Sequence, residues 1–196
     1  MINPAHEKTT SINKSRIAGL MRQIIETGLG LDIKDPNLRE TPERIAKMYI
    51  DEWFRSLYED PPKITVFPNE DNYNQMIVSG PIHVKSVCSH HFVPFTGICY
   101  VGYIPKNFYI GLSKLSRIVH YFMRMPQLQE RMTDQIATFL DTTVSPLGCG
   151  VYIKAQHACM TTRGVEEPDA FMITTALKGI FLENPAVKQE FLSYTK

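Results

Sequence analysis

The chain has 196 residues, of which 43% are hydrophobic and 21% charged; this fits one globular domain with an appendage and argues against a disordered, collagen-like or disulfide-dense chain. Lys plus Arg number 21 against 20 Asp plus Glu, a net charge of +1, so no whole-surface basic field for nucleic acid is expected and any anion site must be a local cluster. No apolar run approaches the ~18 residues of a membrane span, no signal peptide is expected, and the 4 cysteines are too few for a disulfide scaffold; the expectation is a cytoplasmic protein with neither membrane nor nucleic-acid partner.

Residues 1–11 read as a loose leader. Ile17, Leu20, Met21, Ile24 and Ile25 then follow the spacing of an amphipathic helix that Gly28 stops. Thr41 as cap and Pro42 at the first helical position start a second helix. Its apolar stripe is Ile45, Met48, Tyr49 and Trp53, and Pro61-Pro62 opens a linker. Residues 1–62 therefore read as a helical extension and 63–196 as the main domain.

From Lys63 the period changes. KITVF, MIV, IHVKSV, FTGICYVGYI and FYIGL are short and rich in β-branched and aromatic residues, as strands are. A helix is expected from Ser113 to about Met123, and a second from Pro126 on Leu128, Met132, Ile136, Phe139 and Leu140. Strands return at Val151 to Gln156 and at Phe171 to Leu177, and a short helix follows Pro185. Strands clustered in sequence imply hairpins, hence an α+β fold with an antiparallel sheet and helices on one face. Neither GxGxxG nor GxxxxGK[ST] is present, which disfavours a doubly wound nucleotide fold.

Two segments carry metal-binding chemistry: Cys88-Ser89-His90-His91 and, about 65 residues later, His157-Ala158-Cys159. Thiolate and imidazole are the ligands zinc prefers, and five candidates are one more than a closed tetrahedral site needs. Three ligands with two spare histidines suit a hydrolytic centre with its own acid and base. Spacing alone leaves open which histidine is the ligand.

A second cluster sits at the start of the helix after Gly111. With Ser113 as cap, Lys114 and Arg117 place cations at the positive end of the helix dipole, an arrangement that a bound anion would reverse from unfavourable to favourable. Arg163 follows Cys159 by four residues and brings a second guanidinium. Gln129-Glu130-Arg131 opens the next helix, where an acid suits the dipole; Asp134, a like charge one turn beyond Glu130, mildly disfavours a purely structural role.

The runs Cys88-Ser89-His90-His91-Phe92, Gly111 to Val119, Pro126 to Arg131 and His157 to Val165, with Thr41 to Tyr49 upstream, strongly resemble GTP cyclohydrolase I, and the similarity extends from about residue 15 to 194. The resemblance implies a tunnelling fold, an antiparallel ββααββ sheet with a helical N-terminal extension, assembled as a homodecamer with active sites at subunit interfaces. It implies hydrolytic opening of the GTP imidazole ring at C8, loss of formate and closure to 7,8-dihydroneopterin triphosphate. It implies zinc on Cys88, His91 and Cys159, proton transfer by His90 and His157, and ribose and triphosphate contacts from Ser113, Lys114, Arg117 and Arg163, with Arg44 a further candidate. Glu130 would hold guanine, with Gln129 beside it. Ser89 stands where the family usually has Glu, and Met125 where it usually has Arg; neither is a ligand, but Ser89 removes a carboxylate beside the metal. The competing readings are another tunnelling-fold pterin or deazapurine enzyme and a non-catalytic zinc- and GTP-binding protein.

Overall fold

The computed structural model describes residues 13–195, so the leader expected over residues 1–11 lies outside the described residues. The chain forms two compact units, the first ending at Glu59 and the second beginning at Asp60.

In the first unit, helix α1 (Lys14–Gln23) is capped by the Asn13 side chain, which accepts from the Arg16 amide at 2.8 Å. It passes into a wider turn over Ile24–Gly28. Helix α2 (Thr41–Lys47) likewise widens over Met48–Trp53 and packs on α1. Glu40, not Thr41, occupies the cap position, because the Thr41 hydroxyl turns back to donate to the Asn37 carbonyl at 3.4 Å. Ala18 and Ala46 in the two helices, and Ile25 and Ile50 in the turns that follow them, are buried. Ala18 and Ile25 lie seven residues apart on one face, which puts Leu20 and Ile24 on the opposite side, 52% and 50% exposed. The inward stripe expected there is only half correct.

The second unit opens with β1 (Val66–Pro68), paired antiparallel with β4 (Phe108–Ile110). Its main sheet contains β2 (Ile77–Cys88), β3 (Pro94–Ile104), β6 (Gly148–His157) and β7 (Met172–Gly179), all antiparallel, with β5 (Pro126–Gln127) parallel to the end of β2. The sheet order is β5-β2-β3-β6-β7. The two segments MIV and IHVKSV form one strand, joined across a bulge between Ser79 and Ile82.

Helices α3 (Leu112–Met123) and α4 (Gln129–Val144) lie between the two strand pairs in sequence. They bury Leu115, Ile118, Val119, Met132, Ile136 and Leu140 against the sheet face carrying Val84, Cys99, Val101 and Ile153. Full burial of such side chains contributes about 1.5–3 kcal/mol each. Strand alternation sends Ile104 and Tyr152 to the other face, where Phe181 and Phe191 cover them. Those phenylalanines come from α6 (Ile180–Glu183) and α7 (Pro185–Ser193), so the helices are not confined to one face as expected.

Two helix starts also differ from expectation. Gly111 caps α3, two residues before Ser113, because β4 runs straight into the helix with the Ile110 amide held by the Tyr103 hydroxyl at 3.0 Å. Pro126 does not open a helix; it and Gln127 extend along Val87 and Cys88, and the helix begins only at Gln129. Among the described residues no helix is long and apolar enough to cross a membrane.

Candidate active site

Cys88 ends β2 on the row of Val84 and Ser86, facing the helices. Its amide donates to the Val93 carbonyl and its carbonyl accepts from the Phe92 amide, both at 2.9 Å, which closes the loop carrying His90 and His91. Phe92 takes a left-handed conformation, φ 53°, to complete the turn. The Ser89 amide donates to the Gln127 carbonyl at 2.9 Å, tying the loop to β5. The Arg131 side chain grips the same segment, donating to Gln127 Oε1 at 3.1 Å and to the Pro126 carbonyl at 2.7 Å.

His157 ends β6 on the row of Val151, Ile153 and Ala155, which also faces the helices. A single helical turn, α5 (Ala158–Thr161), follows and carries Cys159. Gly164, three residues past that turn, sits at φ +70°, a conformation that favours glycine, and an added Cβ would lie 3.3 Å from the Cys159 carbonyl.

These turns bring Cys88, His91 and Cys159 together: their ligand atoms all lie within 4.8 Å of one another. Burial, then the adjacent Cys88 thiol, pushes the Cys159 thiol pKa up, and Arg163 counters. A metal ion offsets such a penalty by taking the deprotonated form. Two sulfurs and one imidazole fit a metal that prefers soft and borderline ligands, and three ligands leave a coordination position for reaction. His90 stands edge-on to His91, centroids 6.2 Å apart.

His157 precedes Cys159 by two residues, at the end of β6. Its ring stacks on Phe95, and its Nε2 is 2.8 Å from Gln129 Oε1. Burial lowers its pKa, and the negative charge of Glu130 acts in the opposite direction. Glu130 is exposed in the first turn of α4. Gln129, expected beside the substrate, is instead 1% exposed, and its side chain is hydrogen-bonded within the fold.

Ser113 and Lys114 fall in the first turn of α3, with Arg117 one turn further. That helix has no side-chain cap and no acid in its first turn, so its free amides, a hydroxyl and an ammonium gather at one end. Arg163 is exposed beyond α5. Arg44 belongs to the first unit, where it pairs with Glu40 at 2.7 Å. A separate groove of about 590 Å³, lined by His83, Lys85, Lys154 and Phe171 among others, opens on the sheet face away from α3 and α4 and contains none of these residues.

Sequence reasoning missed Phe95, Thr133 and Thr174. Gln129 and Thr133 are polar yet fall on the buried stripe of α4 with Met132, Ile136 and Leu140; that mismatch was the available signal.

The profile of the family described as GTP cyclohydrolase I matches residues 17–196. The chain is 46% identical to a GTP cyclohydrolase 1 of Aeromonas salmonicida over 184 residues, 93% of this chain and 84% of that protein. It is 45% identical to the one of an Enterobacter species, covering 96% and 85%, and 47% identical to the one of Aliivibrio fischeri, covering 92% and 83%. Among solved structures it is similar to the apo form of an archaeosine synthase QueF-Like, with TM-score 0.43 and 15% identity over 55% of this chain and 94% of that one. The motifs, the profile over nearly the whole length and the relatives agree: the chain belongs to the GTP cyclohydrolase I family.

Proposed function

We propose that the chain is a zinc-dependent GTP cyclohydrolase that opens the guanine imidazole ring at C8, releases formate and yields 7,8-dihydroneopterin triphosphate at the start of a pterin, folate or deazaguanine route. The observation that carries this reading is the convergence of Cys88, His91 and Cys159 within 4.8 Å in a chain of this family.

Cys88, His91 and Cys159 would hold the zinc. Zinc supplies Lewis acidity, which lowers the pKa of a coordinated water toward ~7. C8 of a purine is a weak electrophile, and His157 or His90 raises its reactivity by placing a proton on N7. Glu130 accepts from the adjacent N1–H and N2–H donors of guanine. Ser113, Lys114, Arg117 and Arg163 hold ribose and triphosphate, with Arg44 a further candidate, so that binding far from C8 aligns the base. Gln129, its side chain taken up inside the fold, is left out of the guanine contact.

The tunnelling fold, a homodecamer with sites completed between subunits, and a cytoplasmic location belong to the same proposal, supported by family membership. The test is incubation of purified protein with GTP, followed by assay for formate and for a pteridine that fluoresces after oxidation. Both products are expected; a protein that only binds zinc and GTP yields neither.

A further inference from the structure

The side chain of Gln129 ends a hydrogen-bond chain in which the donor and acceptor roles follow from the partners. Its Nε2 lies 3.2 Å from the Ile153 carbonyl, 3.0 Å from the Met172 carbonyl and 3.1 Å from Thr174 Oγ1. Carbonyl oxygens only accept, so the amide nitrogen must face them and the amide cannot be reversed. The hydroxyls agree. Thr133 Oγ1 donates to the Gln129 backbone carbonyl at 2.7 Å, which takes its single proton. At its 2.7 Å contact with Thr174 it therefore accepts, and Thr174, having donated there, meets Gln129 Nε2 with a lone pair.

Oε1 of Gln129 is then fixed on the opposite side, 2.8 Å from His157 Nε2. An amide oxygen is an acceptor only, so His157 must carry a hydrogen on Nε2. Phe95 fixes the plane of the ring and Gln129 fixes its rotation within that plane.

We infer that Gln129 is a positioning residue that locks His157 in the Nε2–H tautomer, so that Nδ1 alone exchanges a proton with the substrate. A proton leaving Nδ1–H for the purine leaves a lone pair on Nδ1, and Nε2–H is unchanged throughout. No search between tautomers precedes the reaction. The inference rests on the reading of His157 as a proton-handling group.

The test is solid-state nitrogen NMR of the purified, zinc-loaded protein labelled with ¹⁵N-histidine. The chain has 6 histidines, and the His157 signals are those missing from His157→Ala. In the neutral ring the expected result is a protonated, pyrrole-type Nε2 and an unprotonated, pyridine-type Nδ1. An unprotonated Nε2 overturns the inference, and the wild-type spectrum decides this without any Gln129 variant. Gln129→Met keeps the length and burial of the side chain but removes the acceptor. It should keep zinc, show both tautomers, and lose about 10- to 100-fold in kcat with little change in KM. A single Nε2–H tautomer in Gln129→Met would show that Gln129 does not set it. Thr174→Val leaves both carbonyls facing the amide, so its His157 spectrum should match wild type; a reversed tautomer there refutes the assignment. The underlying reading fails separately: wild-type turnover in His157→Ala removes the proton-handling role and leaves the tautomer assignment intact.

Discussion

The imidazole of His157 lies face to face with the ring of Phe95, centroids 4.5 Å apart and planes inclined by 10°, and the two residues are register partners across the β3–β6 ladder. Direct cross-strand neighbours on one sheet face pack in this way, so the ladder itself delivers the stack. Phe95→Leu keeps the site apolar but removes the stacking partner. It should cost about 0.5–1.5 kcal/mol of stability by denaturant midpoint. Turnover should fall by more than GTP affinity does, measured as kcat against Kd.

Metal analysis of the purified protein should find about one zinc per chain, as a three-ligand site of this donor set predicts. Cys159→Ser should lose most of the metal and the activity together. A variant that retained both would place the metal elsewhere.

Lys114→Ala and Arg117→Ala should each weaken GTP much more than guanosine, because both belong to the uncapped end of α3 and act on phosphate. Competition assays with the two ligands measure the difference. Equal weakening of both would mean that the cluster does not bind phosphate.

Glu130 should set the preference for guanine over adenine. An acceptor pattern matched to two donors rejects a base lacking them by up to about 10⁴-fold once the bound base shields it from water. Glu130→Ala should lose GTP activity without gaining ATP, and Glu130→Gln, with one acceptor fewer, should weaken GTP binding. Circular dichroism checks that α4 persists. A folded Glu130→Ala protein that still chose GTP by the wild-type margin would reduce Glu130 to a surface acid.

Burial raises the Cys149 thiol pKa from 9.0 to about 12 in the folded protein. Above pH 9 the unfolded thiol releases its proton while the folded one keeps it. This contribution to stability is complete below pH 9 and is lost progressively as pH rises toward 12. Urea titrations across that window should show a smaller fall in unfolding free energy for Cys149→Ala than for wild type. Iodoacetamide at pH 8 should leave Cys99 and Cys149, both fully buried, unmodified until the protein unfolds.

The sheet was largely legible because its strands are runs rich in β-branched and aromatic residues, with Val151, Ile153 and Ala155 on one face and Tyr152 on the other. The amphipathic pattern likewise fixed α3, whose Leu115, Ile118 and Val119 are buried as expected. What failed were positions decided by the third dimension. Ser113 is a good cap in isolation, but the strand leading into α3 made Gly111 the cap. Pro126 suits a helix start, yet pairing with Val87 drew it into an extended segment. Leu20 and Ile24 are apolar, but small Ala18 faces α2. In the candidate site, Cys88, His90, His91, His157 and Cys159 were visible as chemistry; spacing left the choice among them open, the family resemblance pointed to Cys88, His91 and Cys159, and those three lie within 4.8 Å of one another. The place of Gln129 was hidden because its partners, Ile153, Met172 and Thr174, lie 24, 43 and 45 residues away in sequence.

The trio at the ends of β2 and β6 also has a mechanical consequence. Cys88 and Cys159 are 71 residues apart, and β3 runs between their strands in the sheet. An ion bridging them would act as a staple across a long loop, joining strands that share no hydrogen bonds. Such a clip favours the folded ensemble because the unfolded chain must close that loop to bind. Resistance to heat should therefore track free metal concentration, and a chelator should loosen the hairpin ends even where no substrate is present.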